Sequence, residues 1–324
     1  MILREEFDAY TEDYLRGMDW LYPNMEVYDY KKAGGGNMNF VVRVCTNRGN
    51  FIVKQSRPYV EKYPQIPAPI DRIAVEYAFY QKINQHPMLT GFSPKIKGFD
   101  PMFHIMAMED LGYGSDFLGL YSGTVTISEA EIRLLVQYLI ALHHLEAMPF
   151  PDNSAMKKLN HEHIFHFPYL EENGFNLDTI QPGLQSLAIP FKQDTELKKQ
   201  IEKLGARYLA EGTTLLHGDF YTGSWLIVDQ DIKVIDPEFA FVGDAEFDLG
   251  VMLAHFKLAG LDPNLVELTL SVYSDVRVPD QRLLDQYIGV EILRRLIGIA
   301  QLPLNLTLDQ KLVLLTEARA LILG

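Results

Sequence analysis

Asp219, Asp236 and Glu238 are three carboxylates that each stand beside a short apolar run and could do chemistry together. The runs are Leu215-Leu216 before His217-Gly218-Asp219, Trp225-Leu226-Ile227-Val228, and Val234-Ile235 before Asp236-Pro237-Glu238. Such runs read as strands, and a tight hairpin of Trp225–Val228 with Lys233–Ile235 over Asp229-Gln230-Asp231 would bring Asp219 close to the other two. Phosphoryl transfer needs this arrangement: one carboxylate orients the attacking hydroxyl and takes its proton, while others hold Mg²⁺ against the phosphates. Carboxylate oxygens are hard ligands, and Mg²⁺ takes only one or two of them from the protein. Singly, each residue would be an ordinary turn or capping group; at this spacing they point to a metal–phosphate site.

The elements that must position them divide the chain. Its first hundred or so residues read mainly as strands: Glu26–Lys31, the alternating Phe40–Val44, and Phe51–Lys54, with Thr46-Asn47-Arg48-Gly49 closing a hairpin. An opening helix is expected over Arg4–Arg16. Pro58, Pro64, Pro67 and Pro69 mark an ordered crossing segment rather than a regular element. Asp71–Asn84 has helical spacing, and strands follow at Lys95–Phe99 and His104–Met108. Beyond Glu109–Gly114 the pattern turns helical, starting with Ser128–Leu145, where Ser128 and Glu131 have capping-box spacing. Residues 149–190 show little periodicity. Asp194–Ala210, Asn264–Tyr273, Gln281–Ala300 and Leu308–Ile322 read as helices.

Composition narrows the partners. The 324 residues are 48% hydrophobic, enough for a substantial core, and 43 acidic against 29 basic residues give a formal charge of −14. A field of that sign repels nucleic acid and anionic membrane, so neither is expected as a partner. Cys45 is the only cysteine, which excludes an internal disulfide and a cysteine zinc site. The opening residues lack the basic head and apolar stretch of a signal peptide, and no run of eighteen apolar residues occurs, so a cytoplasmic protein is expected.

The motifs carry a resemblance. His217-Gly218-Asp219, five residues before a polar side chain, resembles the catalytic loop of aminoglycoside-phosphotransferase-like and choline-kinase-like enzymes. The segment through Phe220-Tyr221-Thr222-Gly223-Ser224 is more closely similar to the loop of 5-methylthioribose kinases, and Asp236-Pro237-Glu238-Phe239-Ala240-Phe241 resembles their Asp-x-Glu metal motif. Ser224 stands where the general kinase pattern has Asn but agrees with this variant. The resemblance implies a protein-kinase-like α+β fold, with a mainly β N-terminal lobe (1–110), a mainly helical C-terminal lobe (111–324) and an ATP cleft between them. It implies Asp219 as catalytic base and Asp236 with Glu238 as Mg²⁺ ligands. Gly34, Gly35, Gly36 and Asn37 resemble the family's glycine-rich loop, where glycines let backbone N–H groups approach phosphates.

Lys54 resembles the phosphate-contacting lysine, with Glu76 as its ion-pair partner. Met108-Glu109-Asp110-Leu111 resembles the hinge whose backbone reads adenine, making Glu109 and Leu111 nucleotide contacts. Asp248, in Phe247-Asp248-Leu249-Gly250, is expected to brace the catalytic loop. Arg294-Arg295 resembles the twin arginine that the family places near the sugar hydroxyls and the transferred phosphate, a task suited to guanidinium forks. Two adjacent arginines on a helix cannot share one direction, so one of them can instead brace a carboxylate.

The resemblance thins between about 112 and 205, where the chain is shorter than typical members. It implies phosphorylation of 5-methylthioribose on its 1-hydroxyl in methionine salvage, with a small hydroxylated acceptor as partner and a homodimer as an open state of assembly. Three other readings stay open. The acceptor can be another sugar, an amino alcohol or an aminoglycoside; the chain can be a nucleotide-binding pseudokinase; or it can be a metal-dependent phosphohydrolase, in which Lys54 and the glycines would have no task.

Overall fold

The computed structural model of the chain describes residues 1–34 and 38–324, so the expected loop residues Gly35, Gly36 and Asn37 lie outside the described residues. Helix α1 (Ala9–Gly17) begins later than the sequence suggests, because extended Asp8 caps it by accepting a 2.7 Å bond from the Thr11 amide. Strands β1 (Val27–Lys32), β2 (Phe40–Thr46) and β3 (Gly49–Gln55) follow. Phe40, Val42 and Val44 point inward from β2 by simple alternation, and the β2–β3 hairpin closes with Thr46 opposite Gly49.

The proline-rich segment is not irregular throughout. It holds a small hairpin of β4 (Tyr59–Val60) and β5 (Tyr63–Pro67), whose prolines sit on an exposed strand where a missing N–H is tolerated. Helix α2 (Arg72–Ile83), β6 (Ile96–Asp100) and β7 (Ile105–Glu109) complete this part. The antiparallel sheet runs β1-β2-β3-β7-β6, which makes β3, carrying Lys54, its central strand. One face packs Leu15, Trp20, Phe40, Val42 and Val53 beneath α1. The hydrophobic core that includes α2 runs on through Met106 and Met108 into the helical region.

After the short strand β8 (Ser115–Asp116), helix α3 (Glu129–His143) carries the expected capping box of Ser128 and Glu131. Residues 149–190, where periodicity was weakest, contain α4 (Ser154–His161), one π-helical stretch (Glu162–His166) and α5 (Leu184–Gln193). Then come α6 (Thr195–Leu209), β9 (Thr214–Leu216), β10 (Trp225–Val228), β11 (Asp231–Val234) and β12 (Phe241–Gly243). The expected hairpin is β10–β11, and β9 pairs with β12. Helices α7 (Glu246–Leu258), α8 (Pro263–Ser274), α9 (Gln281–Ile297) and α10 (Leu308–Leu323) close the chain. α9 stops short of Ala300 because Gly298 takes an extended backbone. Among the described residues no helix is long and apolar enough to cross a membrane.

Candidate active site

The loop after β9 is held from below. Asp248, at the start of buried α7, accepts the His217 amide at 2.7 Å and the Gly218 amide at 2.9 Å, bracing the loop as its position in the sequence suggests. Gly218 has φ +83°, and a Cβ there would lie 2.2 Å from the Phe239 carbonyl oxygen, so the turn requires glycine. Ser224 Oγ donates to the Asp219 carbonyl at 2.9 Å, and the Ile235 amide donates to the Ser224 carbonyl at 2.9 Å. These bonds tie the Asp219 loop to the strand that ends at Asp236. Asp236 itself adopts a left-handed backbone (φ 63°, ψ 49°), which Asp tolerates better than most residues, and its amide donates to Tyr80 Oη at 3.1 Å.

Lys54 crosses from the sheet to meet this strand. Its Nζ lies 2.8 Å from Glu76 Oε2 and 2.7 Å from Asp236 Oδ1. Burial alone would lower its pKa, but Asp236 and Glu76 hold the ammonium well above the usual lysine range. Glu238, buried, is gripped by two groups from the N-terminal part. Asn39 Nδ2 donates to its Oε2 at 2.7 Å, and Arg72 Nε stands 3.3 Å from the same oxygen. Arg72 is fully buried and also donates to the backbone carbonyls of Arg57, Pro69 and Met38.

Asp236 and Glu238 are the expected Mg²⁺ ligands, and their chemistry fits. The Asp236 side chain is 47% exposed, and both it and Glu238 line one cavity. Among the described residues no group of three or more His, Cys, Asp or Glu side chains forms a metal cage. Two hard carboxylates, with phosphate oxygens and water completing the shell, are what Mg²⁺ ordinarily accepts.

The cavity has a volume of about 680 Å³ and is lined from both parts of the chain. Gly34, Lys54, Glu109, Leu111, Asp219, Asp236 and Glu238 all border it; Glu76 lies behind Lys54, fully buried. The hinge segment is fixed by its own contacts. The Glu109 carboxylate accepts the Lys95 amide at 3.0 Å, and Arg43 pairs with Asp110 at 2.7 Å while its guanidinium lies 4.2 Å from the Tyr113 ring centroid.

Arg294 and Arg295 stand behind the Asp219 loop, not among the groups bordering this cavity. Both grip buried Glu291: Arg294 Nη1 at 3.0 Å from Oε2 and Arg295 Nε at 2.6 Å from Oε1. Burial would raise the Glu291 pKa, yet the two guanidiniums keep it well below the usual carboxylate range. Only Arg295 reaches on to Asp219, with Nη2 3.4 Å from Oδ1. Burial raises the Asp219 carboxyl above the ordinary Asp value, and Arg295 and Arg294 oppose that rise.

Sequence reasoning missed Arg72, the contact of Asn39 with Glu238, and the buried His255, which lies 3.1 Å from Glu291. Arg72 looks like a solvated first-turn residue of α2, and only its full burial shows that it neutralises Glu238. His255 sits in a helix buried on nearly every side, where a histidine among apolar residues gives no periodic signal.

A family profile described as phosphotransferase enzyme family covers residues 29–277. Methylthioribose kinase 1 of Oryza sativa subsp. japonica is 28% identical over 250 residues, 73% of this chain and 57% of that protein. Methylthioribose kinase of Klebsiella pneumoniae strain 342 is 30% identical over 254 residues, 72% of this chain and 61% of that protein. The chain thus spans about six-tenths of the length of these relatives. The crystal structure of a choline kinase from Streptococcus pneumoniae superposes with a TM-score of 0.55 at 14% identity, covering 97% of this chain and 99% of that one, which is a likeness of fold.

Proposed function

Because the chain belongs to the phosphotransferase enzyme family, we propose that its cleft transfers the γ-phosphoryl group of ATP to a hydroxyl of a small acceptor, with Asp219 as base. The observation that carries this reading is the convergence of Lys54, Asp219, Asp236 and Glu238 on one cavity. In the proposed reaction the acceptor oxygen forms a bond to the γ-phosphorus, and the bond from that phosphorus to the bridging oxygen breaks. ADP leaves with the electron pair, and the hydroxyl proton passes to an Asp219 carboxylate oxygen. Mg²⁺, held by Asp236 and Glu238, would supply charge neutralisation on the phosphates. Lys54, kept cationic by its neighbours, binds phosphate oxygens; Glu76 holds its ammonium in place.

The acceptor we propose is 5-methylthioribose, phosphorylated on its 1-hydroxyl, which would place the enzyme in methionine salvage in the cytoplasm. Two relatives bearing the methylthioribose kinase name support it. So does the charge around the base. Arg295 stands 3.4 Å from Asp219 and offsets the negative charge that would otherwise draw in an ammonium group. A neutral polyol suits that setting better than choline or an aminoglycoside.

The test is an acceptor screen with ATP and Mg²⁺, reading ADP release with 5-methylthioribose, ribose, choline and an aminoglycoside. ADP release with methylthioribose well above the rest is expected. Turnover with only a cationic acceptor would overturn the acceptor assignment and leave the phosphotransfer reading standing. Lys54→Met is expected to weaken ATP binding about tenfold, the scale of one lost charge-assisted contact. Calorimetry should show acceptor binding unchanged within about twofold, and an acceptor-only defect would contradict the role of Lys54.

A further inference from the structure

Behind the catalytic loop a set of buried polar side chains closes into a ring. Arg295 stands against Asp219 and donates to Glu291, as above; Glu291 Oε1 also accepts from His255 Nε2 at 3.1 Å. On its other side His255 Nδ1 is hydrogen-bonded to Tyr121 Oη. That hydroxyl lies 2.6 Å from Thr222 Oγ1, three residues past Asp219 in the catalytic loop. The ring therefore leaves the loop through Asp219 and returns to it through Thr222. Tyr221, between those two residues, fills the middle, with its ring 5.0 Å from the Arg295 guanidinium and 5.1 Å from the His255 ring. Thr222, His255 and Glu291 have essentially no solvent exposure.

The chemistry of the partners fixes one proton of the ring. Glu291 is ionised between two guanidiniums and can only accept, so His255 must carry its proton on Nε2. In a neutral ring Nδ1 then accepts from Tyr121, and Thr222 donates to Tyr121; in a cationic ring Nδ1–H would donate to Tyr121, and Tyr121 to Thr222. Both orders satisfy every group, and charge decides between them. Burial and the nearby arginines favour the neutral ring, pushing His255 down to about 4 against the opposing pull of Glu291. The groups facing His255 are Glu291, Arg294 and Arg295 from α9, Tyr121 from the segment after the hinge, and Tyr221 from the loop. A cationic His255 would put three positive charges on one carboxylate and weaken the hold on Arg295.

We infer that His255 is the positioning residue of this site: its Nε2–H orients Glu291 so that Arg295 stands against Asp219, while Tyr121 ties the ring to the loop. The inference rests on the reading of Asp219 as the phosphotransfer base, but its structural part can be judged without turnover.

The experiment combines NMR and kinetics. In wild-type protein with ¹⁵N-labelled histidine, His255 is expected to show a protonated Nε2 and a bare Nδ1, unchanged from pH 8 to pH 5.5. A protonated Nδ1, or a cationic ring at pH 7, would overturn the proposal even if no variant folds. Following the Asp219 carboxyl by ¹³C NMR, His255→Leu should titrate at higher pH than wild type, because Arg295 is released. His255→Gln, which keeps a donor near the Nε2 position, should stay close to wild type. In turnover, His255→Leu should lower kcat about tenfold or more with the ATP KM within about twofold, and His255→Gln should recover most of the loss. An Asp219 titration and kcat unmoved in folded His255→Leu would overturn the inference. If wild-type protein transfers no phosphate to any acceptor, the functional reading fails, and the NMR results still decide the ring.

Discussion

Asp219→Asn is expected to lower kcat by about 10²–10⁴, the usual contribution of a positioned base, while ATP affinity stays within about threefold. The amide keeps the size of the side chain and the Asp219 carbonyl, which accepts from Ser224, so the loop should hold its shape. What it loses is the capacity to take a proton from the acceptor. Steady-state kinetics with a separate nucleotide titration checks this. A variant that retains most of its kcat would show that Asp219 is not the base.

Arg295→Ala is expected to cost about 1.5–3 kcal/mol in kcat/KM, the scale of a lost hydrogen bond to a charged group, because it would release the proposed base Asp219, again with ATP affinity nearly intact. It should also change the pH profile in a defined direction. As the proposed base, Asp219 would act only when ionised, so kcat/KM is expected to fall as pH drops through its pKa. Burial already raises that pKa, and Arg295 favours the charged form. Removing Arg295 should raise the pKa further and move the acid limb to higher pH. Arg294→Ala serves as the comparison, because Arg294 pairs with Glu291 and makes no direct ion pair with Asp219. A normal acid limb in folded Arg295→Ala would contradict the coupling of these two residues.

Much of this was legible in the sequence because the catalytic elements are short and strongly punctuated. Gly218, the apolar strands around it and the spacing to Asp236 and Glu238 mark a turn–hairpin unit whose geometry leaves little freedom, and the resemblance of those motifs to methylthioribose kinases is matched by the relatives found. The Ser128 cap and the β2–β3 hairpin were legible for the same reason: local chemistry sets them. Other features depend on tertiary contacts that leave no local trace. The hairpin at Tyr59–Pro67 is largely exposed, and its prolines hide the strand period, while α4 and α5 form against α6 and α10 and their surrounding proline, asparagine and glycine content obscures any helical period. Arg72 and Asn39 meet Glu238 across 166 and 199 positions of chain, and His255 meets Tyr121 across 134, distances over which spacing carries no information. The twin arginines were visible as a pair, but their shared carboxylate, Glu291, and the reach of only one of them to Asp219 required the three-dimensional structure.

The most direct test of the central claim is ³¹P NMR of wild-type protein incubated with ATP, Mg²⁺ and 5-methylthioribose. The account expects one sugar-phosphate resonance to appear for each ADP formed, at a rate that depends on the acceptor and disappears with Asp219→Asn. Inorganic phosphate formed one-for-one with ADP regardless of acceptor, or ATP left unchanged with every hydroxylated acceptor tried, would contradict it.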